Sequence, residues 1–170
     1  MLAAAVLWEI WERTQSPLWL GLAGLARALP VIVLALPAGH LADIVSRRRV
    51  LFVTQALFAL CAAGFALNAW LHGPNWMLLL LMMLSGAVRA FNGPARAALL
   101  PMLVPPRRFE NAVTINGAIF QFAALAGPLL AAGMIALSGE TAWVYVTTAV
   151  PCGGFSLAAG AALAPPAPGT

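Results

Sequence analysis

Five predominantly apolar stretches follow one another with short gaps between them, at residues 18–39, 50–71, 76–98, 112–137 and 142–164. An α-helix rises about 1.5 Å per residue, so about 20 apolar residues cross the hydrocarbon layer of a bilayer. Each of the five reaches that length, and none alternates as a lipid-facing barrel strand would. Residues 1–13 are apolar over too short a run to cross alone and read as the second half of a first span whose start is absent. The expected fold is therefore an all-α integral membrane protein, a six-helix bundle with its first helix truncated. Composition agrees. Only 8% of residues are charged, against the roughly 25% that a soluble domain needs to clothe its surface.

Charge placement predicts sidedness and excludes other classes. All the basic residues are arginines. Arg47, Arg48, Arg49, Arg107 and Arg108 fall in gaps on one side, with Arg96 at the edge of a span, whereas the opposite gaps hold only Arg13. By the positive-inside rule the first set is cytoplasmic. The turns at 14–17, 72–75 and 138–141 then face outward, and most of the six tryptophans lie near them as an interfacial belt. The chain's end, 165–170, falls on the cytoplasmic side. A net charge of +4 spread over such gaps does not make a nucleic-acid surface. Cys61 and Cys152 lie inside apolar runs and read as packing residues. Five acids and two histidines scattered along the chain do not converge as an enzyme or a metal centre would require. No phosphate-cradling Gly-Lys-Ser/Thr loop is present, which argues against ATP-driven chemistry, and no cofactor is expected.

The most informative gap runs from Gly39 to Leu51. Gly39 permits close backbone approach or a positive φ at the end of a span. Asp43 follows one helical turn later and offers a carboxylate to an arginine or a helix N-terminus. Arg47 to Arg49 engage anionic headgroups of membrane lipids. A basic turn alone accounts for the arginines but not for the Gly and Asp at these offsets. Deeper in the spans, Arg89 and Arg27 are costly in lipid unless they snorkel, pair or serve a function. Glu9 and Glu12 share a helix face, and an ion pair from them to Arg27, or a proton-responsive carboxylate, is an open reading. Ala123, Gly127 and Ala131 recur at every fourth position, with Ala124, Pro128 and Ala132 in the adjacent row; small residues so spaced let helices pack closely in lipid. Gln15, Asn68, Thr114, Asn116 and Gln121 are candidates for a polar path or for interhelical hydrogen bonds. Asn92-Gly93-Pro94 is expected to bend or break its helix, and Pro101, Pro105 and Pro106 to stop it.

Gly39-x-Leu41-Ala42-Asp43-x-x-x-Arg47-Arg48 resembles the loop signature between the second and third helices of the major facilitator superfamily, Gly-x-Leu-Ala-Asp-Arg-x-Gly-Arg-Arg. Ile44 and Ser46 depart from it. The resemblance implies a gating role for Asp43, with Arg47 or Arg48 as its charge partner. Arg89-x-x-x-Gly93 is similar to a fourth-helix element linked in exporters to proton coupling. Gly127-Pro128 resembles a fifth-helix exporter element in which Ala123, Ala131 and Ala132 replace glycines. Thr14-Gln15-Ser16-Pro17-Leu18, Ala28-Leu29-Pro30 and Phe91-Asn92-Gly93-Pro94-Ala95-Arg96 extend the likeness along the whole chain, toward the branch that includes the enterobactin exporter. The implied protein is the amino-terminal half of a secondary transporter in a bacterial inner membrane. It would export a small hydrophobic or siderophore-like molecule, driven by the proton gradient. Its partner would be a second six-helix bundle, either a carboxy-terminal half or another copy of the chain. A non-transporting membrane assembly protein, or an inactive fragment, is the alternative.

Overall fold

The computed structural model describes the backbone of residues 1–103, 105 and 109–163, and the side chains of most of these. Arg107, Arg108 and residues 164–170 lie outside the described residues, as do the side chains of Asp43, Arg47, Arg48 and Arg96. Six helices follow in order: α1 (Leu2–Thr14), α2 (Pro17–Ile44), α3 (Arg47–Trp70), α4 (Asn75–Leu103), α5 (Phe109–Ser138) and α6 (Ala142–Leu163). No strand occurs among the described residues. Pro17–Leu41, Arg49–Trp70, Asn75–Pro94 and Phe109–Ser138 are each long and apolar enough to cross a membrane. α6, with 22 residues, is about 33 Å long at the helical rise.

The helix ends follow from local chemistry. Pro17 starts α2 because the first turn needs no backbone donor there. At one end of the bundle three turns each use a left-handed residue: Gln15 (φ 49°), His72 (φ 49°) and Gly139 (φ 70°). The Gln15 amide closes α1 by bonding the Trp11 carbonyl at 2.8 Å. Trp8, Trp11, Trp70, Trp76 and Trp143 are exposed near these turns.

Packing runs outward from small residues. α2 packs most extensively on α4, and α3 on α6 and α4. At the α2–α4 crossing a Cβ on Gly86 would sit 2.3 Å from the Arg27 carbonyl oxygen, so only glycine fits. α3 and α6 meet through stacked Phe65 and Tyr145, ring centroids 5.5 Å apart. Asn92 Nδ2 donates to Thr54 Oγ1 at 3.0 Å and ties α4 to α3. Ala5, Val6, Ile10, Ala23, Leu78 and Val144 complete a dry core. Many other large apolar side chains point outward: Leu36 is 88% exposed and Leu137 92%. An apolar exterior of this kind is stable only against lipid or another protein.

Three expectations are corrected. The gap after Gly39 is helical up to Ile44 and resumes at Arg47, leaving only Val45 and Ser46 between α2 and α3. Gly39 is thus neither a helix end nor in a positive-φ conformation, and a Cβ added to it would meet nothing within 4 Å. α4 runs unbroken through Asn92-Gly93-Pro94 and past Pro101. The Asn92–Thr54 hydrogen bond ties the start of this segment to α3 and offsets part of the loss of the Pro94 donor. The small-residue row on α5 is buried at Gly127 and Ala131, while Ala123 and Pro128 are exposed.

Candidate functional site

α1 carries Glu9 and Arg13 one turn apart on the face that turns into the bundle. Spacing i, i+4 brings such side chains together, and Glu9 Oε1 lies 2.5 Å from Arg13 Nη2. Glu9 is only 3% exposed. Taking a carboxylate out of water is unfavourable unless charge and hydrogen bonds compensate it. Two elements supply the compensation. Tyr145, fully buried in the first turn of α6, donates its hydroxyl hydrogen bond to Glu9 Oε2. Arg13 reaches across to the α3–α4 turn, where Nη1 donates to the Gly73 carbonyl at 2.7 Å and approaches Asn68 Oδ1 at 3.5 Å. A Cβ on Gly73 would lie 2.3 Å from Asn68 Nδ2, so glycine lets the turn close on the Asn68 side chain without displacing it. Within this cluster Glu9 Oε1 contacts Arg13 without hydrogen-bond geometry, and the buried Nδ2 of Asn68 has no acceptor.

Above the cluster opens a cavity of about 320 Å³, lined among others by Glu9, Glu12, Arg13, Trp70, His72 and Glu140. Its walls come from α1, the α3–α4 turn and the α5–α6 turn, so the three turns share one end of the bundle. Three carboxylates facing one guanidinium make it an acidic vestibule. A second hollow, about 280 Å³ and apolar, lies between α1 and α5 against Ala4, Trp8, Pro128 and Ala131. At its edge a Cβ on Gly127 would come within 2.9 Å of the Met1 backbone nitrogen.

The other predicted residues disperse. Arg27 forms no ion pair with Glu9 or Glu12; among the described residues the salt bridge is Glu9–Arg13. The reason is geometric, since Arg13 sits on the same helix face one turn from Glu9, while the backbone of Arg27 packs against Gly86 of α4. Arg27 is half-buried and Arg89 exposed, with Gly93 exposed one turn further on. Gly39 is part-buried and Leu41 exposed near the end of α2, and the backbones of Asp43 and of Arg47 and Arg48 flank the Val45-Ser46 break. Thr114, Asn116 and Gln121 are exposed on α5, whereas Asn68 is buried. Sequence reasoning missed Tyr145 and gave Arg13 only an interfacial place. One signal was available for the first: it is the only tyrosine of the chain, set in an apolar run whose interior would demand a partner for its hydroxyl.

A bundle of long apolar helices with small residues and a polar cluster inside, and large apolar side chains outside, defines a multi-pass membrane protein. The model of the Major Facilitator Superfamily matches residues 1–170, and the chain belongs to that family of transporters. It is 32% identical over 148 residues to the multidrug efflux pump Tap of Mycobacterium tuberculosis, covering 82% of this chain and 35% of the pump. It is 26% identical over 135 residues to the macrolide efflux protein A of Streptococcus pyogenes, covering 78% and 33%. The Tap pump of Mycolicibacterium fortuitum is 25% identical over 151 residues, covering 85% and 37%. The chain thus spans about a third of the length of the curated relatives it matches. No solved structure matches it.

Proposed function

We propose that the chain forms the amino-terminal half of a proton-driven exporter of small hydrophobic molecules. The observation that carries this reading is the family match over all 170 residues, joined to relatives whose names denote efflux of drugs and macrolides. Those names favour a drug-like solute over a siderophore-like one. Major facilitators hold substrate between two bundles and rock one against the other. This chain supplies one wall, and a second six-helix bundle supplies the other. The exposed polar residues Thr114, Asn116 and Gln121 of α5 support a wall that faces a wet cavity. In this reading Asp43, Arg47 and Arg48 gate the cytoplasmic end together with Gly39 and Leu41. Glu9 takes up the proton, because it is the buried acid that opens onto the vestibule. Arg27 of α2 and Arg89 with Gly93 of α4 are the further candidates for the proton path, because a cation within a membrane span is costly unless it serves a function.

The test uses inverted inner-membrane vesicles carrying the chain together with a carboxy-terminal six-helix bundle. A macrolide and a catecholate siderophore serve as competing probes. Uptake of the macrolide that collapses when a protonophore dissipates the gradient supports the reading. Macrolide flux indifferent to the gradient, or none at all with the chain correctly inserted, overturns it. Asp43→Asn is expected to abolish most of that flux.

A further inference from the structure

Arg13 is the single side chain in the described structure that joins α1 to the turn between α3 and α4 by a hydrogen bond, and its counter-ion is Glu9. Glu9 in turn is held by Tyr145 of α6. The polar chain Tyr145–Glu9–Arg13–Gly73 therefore crosses the floor of the acidic vestibule and links three parts of the bundle. Arg13 has nothing else to keep it there: the Gly73 carbonyl and the distant Asn68 Oδ1 are neutral acceptors. A guanidinium half-shielded from water stays on neutral acceptors mainly while a carboxylate beside it neutralises its charge.

We propose that Arg13 is a strap whose closure is set by the charge on Glu9, with Tyr145 as the residue that positions Glu9 for it. With Glu9 ionised, Arg13 stays on the Gly73 carbonyl and the α3–α4 turn is clamped to α1. When Glu9 takes a proton, Arg13 loses its counter-ion, swings toward Glu12 and Glu140 at the cavity mouth, and frees the turn. The proton goes to a Glu9 carboxylate oxygen, and no other bond is made or broken. The groups that face Glu9 and the vestibule are Glu12 and Arg13 from α1, His72 from the α3–α4 turn, Glu140 from the α5–α6 turn and Tyr145 from α6. The inference deepens the role given to Glu9 above and rests on that reading only for its link to transport.

The test is hydrogen exchange by mass spectrometry on the 170-residue chain in lipid nanodiscs. It follows the turn amides of Leu71, His72 and Gly73, which bond the carbonyls of Leu67, Ala69 and Asn68. Glu9 touches none of these, so an effect of Glu9 on them reports the strap. Glu9→Gln is expected to speed their exchange about tenfold, the loss of one charge-assisted hydrogen bond, and Arg13→Gln by a similar factor. The double variant should add nothing further. In the wild type, lowering the pH from about 8 to about 5, a range that covers perturbed carboxyl and imidazole titrations, should open the turn after correction for intrinsic exchange. That response should vanish in Glu9→Gln and persist in His72→Gln and Glu140→Gln. Tyr145→Phe, which keeps both charges, is expected to shift the pH response while leaving the turn clamped at alkaline pH. An unchanged turn in Glu9→Gln, or a pH response abolished by His72→Gln or Glu140→Gln, overturns the proposal. Because no flux is measured, failure here leaves the vesicle experiment to judge proton coupling on its own.

Discussion

At the level of single residues, an ion pair fixed inside an apolar bundle is asymmetric in its energetics. Forming it barely offsets the cost of desolvating both partners, but removing one partner strands the other. Glu9 is the more deeply buried of the two, its side chain 4% exposed against 21% for Arg13. Arg13→Met should therefore destabilise the bundle by about 3 kcal/mol. Glu9→Gln combined with Arg13→Met should recover most of that loss. Reversible unfolding in mixed micelles, followed by tryptophan fluorescence, measures both. A double variant as unstable as the single one would mean that Arg13 works through packing rather than charge.

Two glycines that look alike in the sequence behave differently once helices are packed. Gly86 lies where α4 meets the Arg27 carbonyl, and a methyl group there has nowhere to go because the obstacle is backbone. Gly86→Ala should cost about 1–3 kcal/mol by forcing α2 and α4 apart. Gly39 sits in a helix where an added Cβ would meet nothing within 4 Å. Gly39→Ala should leave stability within about 1 kcal/mol of the wild type, on the stabilising side, because glycine is a poor helix former. Thermal unfolding of the two variants side by side checks the contrast. A loss of flux in a stable Gly39→Ala variant would then place the role of that glycine in contact with the second bundle. The helices themselves were legible from apolar length alone. Their continuity was not: Pro94 and Asn92-Gly93 carry a helix-breaking composition, yet α4, tied to α3 by the Thr54–Asn92 hydrogen bond, stays helical through them.

For the whole molecule, sidedness is the most direct expectation. After Cys61 and Cys152 are replaced by alanine, single cysteines at His72 and Glu140 should react with a membrane-impermeant maleimide from outside intact cells. A cysteine at Arg49 should react only in inverted vesicles. The opposite pattern would reverse the topology drawn from the arginines. The structure adds that the first two sites belong to one vestibule, since His72 and Glu140 line the same cavity. Two maleimide labels there should exclude each other.

Apolar length, charge poverty and the arginine gaps determined by themselves that the chain is a membrane-embedded helical protein with a predicted inside and outside. These properties are set by transfer free energy residue by residue, and no knowledge of neighbours is needed to read them. The signature around Asp43 was equally readable, because its spacing is local. What only the tertiary structure decided was which polar groups meet. The Glu9–Arg13 pair is an i, i+4 contact and local in sequence, but the meeting of Glu9 with Tyr145, 136 residues away along the chain, and of Arg13 with Gly73 depends on how α1, α6 and the α3–α4 turn converge. Helix rotation and depth decide such pairings, and both come from close packing at positions such as Gly86 and Phe65, where side-chain shape rather than hydropathy is what counts.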